Sequence, residues 1–312
     1  MFIPSWVRRP ESGLKRLQAL GMAALLPGIA SGQQPAKADT FLTDPAAAHL
    51  YLNVEAPAGQ TYLKSSGHCG VSTAQLTSGH QRLRPEVSHR TDTYGNQFRN
   101  LLLRPHQPRP HPGEADFASE VARVAPGPHQ HMPLMAVYHA DPAVPTDLYF
   151  NLGHGLCRMD LSGMTLSNVS VNSAFADLVI SYNAQNQTPM KELDIHAAKA
   201  NIILKYPEYS RAGLITVQND MGTTQVLLGG VYASHPTLHL QSGVGDCDLM
   251  ISRSRPVRLI LKTGFFSSVD LPDSYRQIEP GVYVNPAYQQ QQQGTKIICD
   301  VDFGKIVVME SD

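Results

Sequence analysis

Four kinds of side chain in this sequence could do chemistry: paired carboxylates, neighbouring histidines, thiols and a recurring series of amides. Glycoside cleavage needs two carboxyl groups about 5–9 Å apart across one bond. Asp177 and Asp246 hold equivalent places in a repeat laid out below, three copies apart, which is about 14 Å at the usual strand spacing. That is too far for a catalytic pair. Asp246 and Asp248 share one strand face and make only a local acidic spot. His129 and His131 have a spacing that two metal ligands can use on a strand, but no third ligand is fixed and the surroundings are rich in proline. Ten of the 13 histidines fall between His49 and His154 and read as solvated loop residues. Serine-nucleophile, phosphate-loop, dinucleotide-binding and H-E-x-x-H patterns are absent. The expectation is a protein that is not an enzyme, with no catalytic, cofactor-binding or metal-binding residues.

The amides belong to a repeat, and the repeat determines which elements hold them. Apolar anchors at Phe150, Val171, Ile195, Val217, Leu240 and Leu261 are spaced 21, 24, 22, 23 and 21 residues apart. A seventh, Cys299, follows after 38. That last gap is one period plus an insertion containing QIEPGVYVNPAYQQQQQG. The position after each anchor is polar: Asn151, Asn172, His196, Gln218, Gln241, Lys262 and Asp300. This column is the candidate ligand-binding face, because stacked amides can contact sugars; an ordinary wet ladder face is the alternative. Five residues past each anchor stands Gly155, Ala176, Ala200, Gly222, Gly245, Phe266 or Gly304, small in six of seven. Apolar alternation resumes beyond it, as in Leu178/Ile180 and Leu249/Ile251.

Each copy therefore reads as strand, tight corner, strand, with one face buried and one wet. A unit of about 22 residues cannot bury its own apolar face and must stack on its neighbours. The fold expected is all-β: a β-solenoid of about seven regular rungs over residues 150–312, preceded by an irregular β-rich part at 33–149. A leucine-rich repeat fails, since Ala174, Ala198, Asp220 and Gly243 stand where that consensus needs asparagine. Residues 104–145 carry nine prolines and read as extended connections. The five glutamines at 289–293 read as a loop tip, and the insertion that holds them is placed to shield the sheet's last edge.

Cys157 and Cys247 fall in the inward column in the first and fifth copies, about 19 Å apart. A disulfide needs Cα atoms within about 7 Å, so these two are expected to stay as buried free thiols. Cys69 falls in a loop.

The totals exclude several classes. Net charge is −1 over 312 residues, which gives no footprint for nucleic acid or anionic lipid. Residues 1–32 have the layout of a signal peptide: Arg8, Arg9, Lys15 and Arg16, then LQALGMAALLPGIA, then small residues before Gln33. No other stretch is long and apolar enough to cross a membrane as a helix. The mature chain is expected to be soluble and exported to the periplasm, outer surface or medium.

The runs DLSGMTLSNVSVNSAFADLVISY at 160–182, QNDMGTTQVLLGG at 218–230, SGVGDCDLMI at 242–251 and the ending GVYVNPAY…KIICDVDFGKIVVME resemble the "toast rack" family of bacterial envelope proteins. That family's relatives include adhesin solenoids. SSGHCGVSTAQL at 65–76 resembles its N-terminal segment more loosely. The resemblance implies an envelope or surface solenoid with no assigned catalysis, and it supplies no functional residues. Ala176, Ala200 and Phe266 depart from the family's corner glycines. The reading that follows is an exported, non-enzymatic, adhesin-like or structural protein at the bacterial surface. Its partner is a cell-wall or surface polysaccharide or another envelope protein. A carbohydrate-active β-helix enzyme and a self-associating envelope scaffold are the alternatives.

Overall fold

Alternation of apolar and polar residues builds the strands of this protein. Between residues 166 and 181, Val169, Val171, Leu178 and Ile180 are fully buried while Asn172 and Phe175 face outward. A side chain of this size contributes roughly 1.5–3 kcal/mol when fully buried. The computed structural model describes residues 38–42, 49–65, 71–78, 83–105, 134–140, 143–230 and 234–312.

The described chain is all-β apart from two short helical turns. The first six strands are β1 (Ala38–Leu42), β2 (His49–Ser65), β3 (Val71–Ser78), β4 (Leu83–Thr91), β5 (Asn96–Pro105) and β6 (Leu134–Ala140). Two long strands follow, β7 (Thr146–Asp160) and β8 (Leu166–Ser181). Shorter ones come next: β9 (Met190–Ala197), β10 (Ile202–Lys205), β11 (Ala212–Met221), β12 (Thr224–Leu228), β13 (Thr237–Val244) and β14 (Cys247–Ser252). The chain ends with β15 (Val257–Asp270), the hairpin β16 (Arg276–Glu279) and β17 (Val282–Val284), helix α1 (Pro286–Gln291) and β18 (Thr295–Ser311).

Eight of these strands pair in parallel and close on themselves, in the order β8–β10–β12–β14–β18–β13–β11–β9 and back to β8. The remaining strands lie outside this barrel. On the β8 side, β7 pairs with β8 and β2 pairs with β7, Val54 opposite Phe150. β5 and β6 take the other edge of β2, β4 lies antiparallel to β5, and β3 and β1 follow β6. On the β18 side β15 follows β18, and the β16–β17 hairpin covers part of its far edge, with ladder pairs at Arg258–Ile260 and a hydrogen bond from the Leu261 N–H to the Gly281 carbonyl.

The expected β-solenoid is thereby corrected. A stack of seven rungs would follow chain order and stay open at both ends. Here β8 and β18 run unbroken for 16 and 17 residues, through the corner and along both walls. Two lines of pairing meet at each of them, so the sheet closes. Chain order is broken as well. β18 inserts between β13 and β15, with Cys299 opposite both Leu240 and Leu261.

The corners are tight because backbone passes over backbone. Gly222, Gly245 and Gly304 have φ of +119°, +141° and +144°, a region that side chains other than glycine's rarely enter. A Cβ on Gly245 would collide with the Gly222 carbonyl oxygen, and one on Gly304 with that of Gly245. The corner assigned to Phe266 is displaced by one residue. A bulge between Thr263 and Phe266 sets Phe266 opposite Phe303 and gives the place opposite Gly304 to Ser267. Within the insertion, Pro286–Gln291 is helical where a loop tip was expected. Asn285 caps it by accepting from the Tyr288 N–H, and proline at the first turn is compatible with the start of a helix.

Candidate functional site

The seven candidate residues share one ladder. Asn151 lies opposite Asn172, Asn172 opposite His196, His196 opposite Gln218 and Gln218 opposite Gln241. Asp300 comes next, and Lys262 lies beyond it at the outer strand. Glu55 extends the row at the other end, opposite Asn151, a place that sequence spacing missed because β2 lacks the clear period. All seven are half-buried or exposed.

Much of this column is occupied with its own neighbours. Asn172 Nδ2 donates to Asn151 Oδ1 at 3.4 Å, and His196 Nε2 lies 3.1 Å from Asp194 Oδ2. Gln218 Nε2 donates to Asp220 Oδ1, and Lys262 Nζ lies 3.9 Å from Asp300. The open part is a shallow groove between Gln218, Gln241, Asp220, Asp300 and Asp302. It presents amide and carboxylate oxygens, acceptors for hydroxyl donors.

Three residues further along each chain segment, four on the bulged β15, runs a second row just before the corner that the sequence did not announce. His154 is opposite Phe175, Met221 opposite Val244, Val244 opposite Phe303, and Phe303 opposite Phe266. Lys199 lies between the two halves, in a hollow shared with Phe175 and Met221. Phe175, Met221, Val244, Phe303 and Phe266 are all exposed, and Phe265 beside them is 94% so. His154 and Phe175 stack with centroids 4.7 Å apart, and partial burial lowers the histidine pKa. Phe266 and Phe303 stack at 5.7 Å. Contiguous exposed apolar surface rimmed by polar groups marks contact sites.

The far side of this ridge carries the residues considered for catalysis. Asp177 accepts from the backbone and side chain of Asn201, and Asp246 accepts from the Lys305 N–H. Asp248 accepts from Gln225. Each carboxylate is thus held by a donor on the neighbouring strand. Asp177 and Asp246 lie three strand steps apart, through Asn201 and Thr223.

Cys157, Cys247 and Cys299 are buried and free. Four strand steps separate Cys157 from Cys247. The unforeseen neighbour of Cys247 is Cys299. A hydrogen bond between these thiols, together with burial, pushes the Cys247 pKa well up, and burial alone does the same to Cys157. Cys69, His129, His131 and the leader at 1–32 lie outside the described residues. Among the described residues no group of three or more His, Cys, Asp or Glu is placed to hold a metal, and no helix is long and apolar enough to cross a membrane.

No family model matches the chain, so membership of the toast-rack family is not shown, and no curated protein matches it. Among solved structures, the chain is similar to "a putative cell adhesion protein from Clostridium sporogenes" at 10% identity and a TM-score of 0.46, covering 88% of this chain and 100% of that one. A likeness this slight carries neither a fold nor a function across.

Proposed function

We propose that this is an exported, non-enzymatic surface protein that holds an extended neutral polysaccharide along its corner ridge. The leader at 1–32 would be removed on export. The observation that carries the reading is the ridge itself: a row of exposed apolar side chains crossing successive strands, with an acceptor-rich groove along one side. Sugar rings offer the matching surface, C–H faces for the apolar row and hydroxyl donors for the carboxylates and amides. Strand spacing near 4.8 Å repeats these contacts at intervals suited to a chain of sugar units. The motif resemblance to envelope proteins points the same way, and the carboxylates once considered for catalysis are spent on hydrogen bonds to neighbouring strands.

The test incubates the purified protein with isolated cell wall and a polysaccharide panel, recording both protein retained and sugar released. Retention without release is expected. It should fall at least tenfold in a Phe175→Ser/Met221→Ser variant that keeps the wild-type circular dichroism. Release of oligosaccharides would replace this reading with an enzymatic one. Absence of retention on every polymer would end it.

A further inference from the structure

The far edge of β15 is only partly covered. The hairpin strand β17 pairs with it at Arg258–Ile260, and Gly281 accepts from the Leu261 N–H. From Lys262 to Asp270, among the described residues, nothing pairs with the edge that faces away from β18. Such an edge carries a row of unpaired N–H and C=O groups and templates further strand pairing. This one also ends the aromatic stack. Phe266 is stacked on Phe303 by one face and is 70% exposed.

We propose that this edge pairs antiparallel with the same edge of a second copy of the chain, giving a two-fold symmetric dimer whose sheet continues across the interface. Two observations select a second copy as the occupant. A two-fold axis at Phe266 would set its ring against its own copy and lengthen the stack to Phe303–Phe266–Phe266–Phe303. The free window also differs in charge at its two ends, Lys262 lying 3.9 Å from Asp300 and Asp270 accepting from Lys305 Nζ at 2.9 Å, so an antiparallel copy brings the basic end of one edge to the acidic end of the other. The bulge shortens the Lys262 half of the window by one step, which sets Lys262 level with the copy's Val269 and one step from its Asp270. The hairpin agrees sterically, because its cover of β15 stops where the copy's strand would leave the sheet. An isologous contact of this kind closes at two subunits and does not propagate.

Sedimentation velocity of the full chain across a concentration series tests the proposal. A monomer–dimer equilibrium is expected. Phe266→Glu and Phe266→Lys each set like charges against each other on the axis. Each alone should weaken dimerisation at least tenfold, while an equimolar mixture of the two should restore a dimer. Both changes are at an exposed position, and circular dichroism confirms that the variants fold. Phe266→Cys should cross-link to a covalent dimer under mild oxidation, whereas Phe175→Cys, also on the ridge but remote from the edge, should not. A monomer at all concentrations, larger assemblies, or a dimer indifferent to these changes would overturn the proposal. Polysaccharide retention is scored with different residues, so either idea can fail alone.

Discussion

The two ends of the strands invert the usual partition of polar and apolar groups. At the turn end, Arg255 and Glu208 form an ion pair at 3.4 Å with their side chains 1% and 0% exposed. At the corner end, Phe266 and Phe303 stand 70% and 49% exposed. The buried pair survives because most of its hydrogen-bonding groups are met, Glu208 Oε2 being the exception. Arg255 donates to the carbonyls of Gly229, Gly230 and Ser234 and to Thr295 Oγ1, while Glu208 accepts from the Gly229 N–H. It joins the 3-10 turn at Pro207–Ser210 to the turn before β15, where no regular ladder runs. The exposed rings have no such internal purpose. They sit where backbone crossing at the glycine corners leaves no depth beneath the chain for a side chain to fold into. Buried charge here organises the fold, and apolar surface at the corners stays exposed.

The largest expected effect breaks the turn end. Arg255→Met leaves the Glu208 carboxylate buried without its counter-charge, and loss of one partner of such a pair costs about 3–5 kcal/mol. Burial already holds the Glu208 carboxyl above the usual range, against the opposing pull of Arg255. A raised carboxyl favours the folded state below its unfolded pKa and loses that contribution as pH rises. The deficit of the variant, measured by urea unfolding, should therefore be greater at pH 7 than at pH 5. An equal deficit at both would show that Glu208 is not the group left stranded.

A smaller effect is expected at the corner. Gly245→Ala forces a side chain into a left-handed position and against the Gly222 carbonyl, costing about 2–3 kcal/mol in thermal or chemical unfolding. Gly213→Ala is the control, since a Cβ there meets nothing within 4 Å; it should change stability by less than about 0.5 kcal/mol. If the two behave alike, close backbone approach is not what the corners require.

The smallest effect lies in the core between the two ends. Cys157 and Cys247 hold their protons in the folded state more strongly than in the unfolded chain, where a thiol titrates near about 8.5. Their contribution to stability is complete below that pH and declines above it. A thiol reagent at pH 8 should leave both unlabelled until denaturant is added. Labelling of the native protein at the unfolded rate would show that this core opens readily.

Several features of the fold were legible in the residues. Anchors 21–24 positions apart do fall in one row, because a parallel neighbour one period away is the nearest partner an apolar strand can find. Val171, Ile195, Val217 and Leu240 are in register for that reason. The polar column followed from the same spacing. The 38-residue gap before Cys299 said that a copy was interrupted, but not that β18 would slip in ahead of β15. Period alone carries no order of stacking. The ridge was invisible for a related reason. Its members are His154, Phe175, Lys199, Met221, Val244, Phe303 and Phe266, a series with no single type, and their exposure comes from the corner beneath them.

By itself, then, the sequence determined the strand character, the inward and outward faces and the approximate register, because these depend on side-chain alternation and spacing along one chain. Closure of eight parallel strands, the placement of β18, the meeting of Cys247 with Cys299 and the free edge of β15 were decided only in three dimensions. Each depends on which strand satisfies another's hydrogen bonds, and strands of similar apolar pattern are interchangeable in that choice until the whole sheet is assembled.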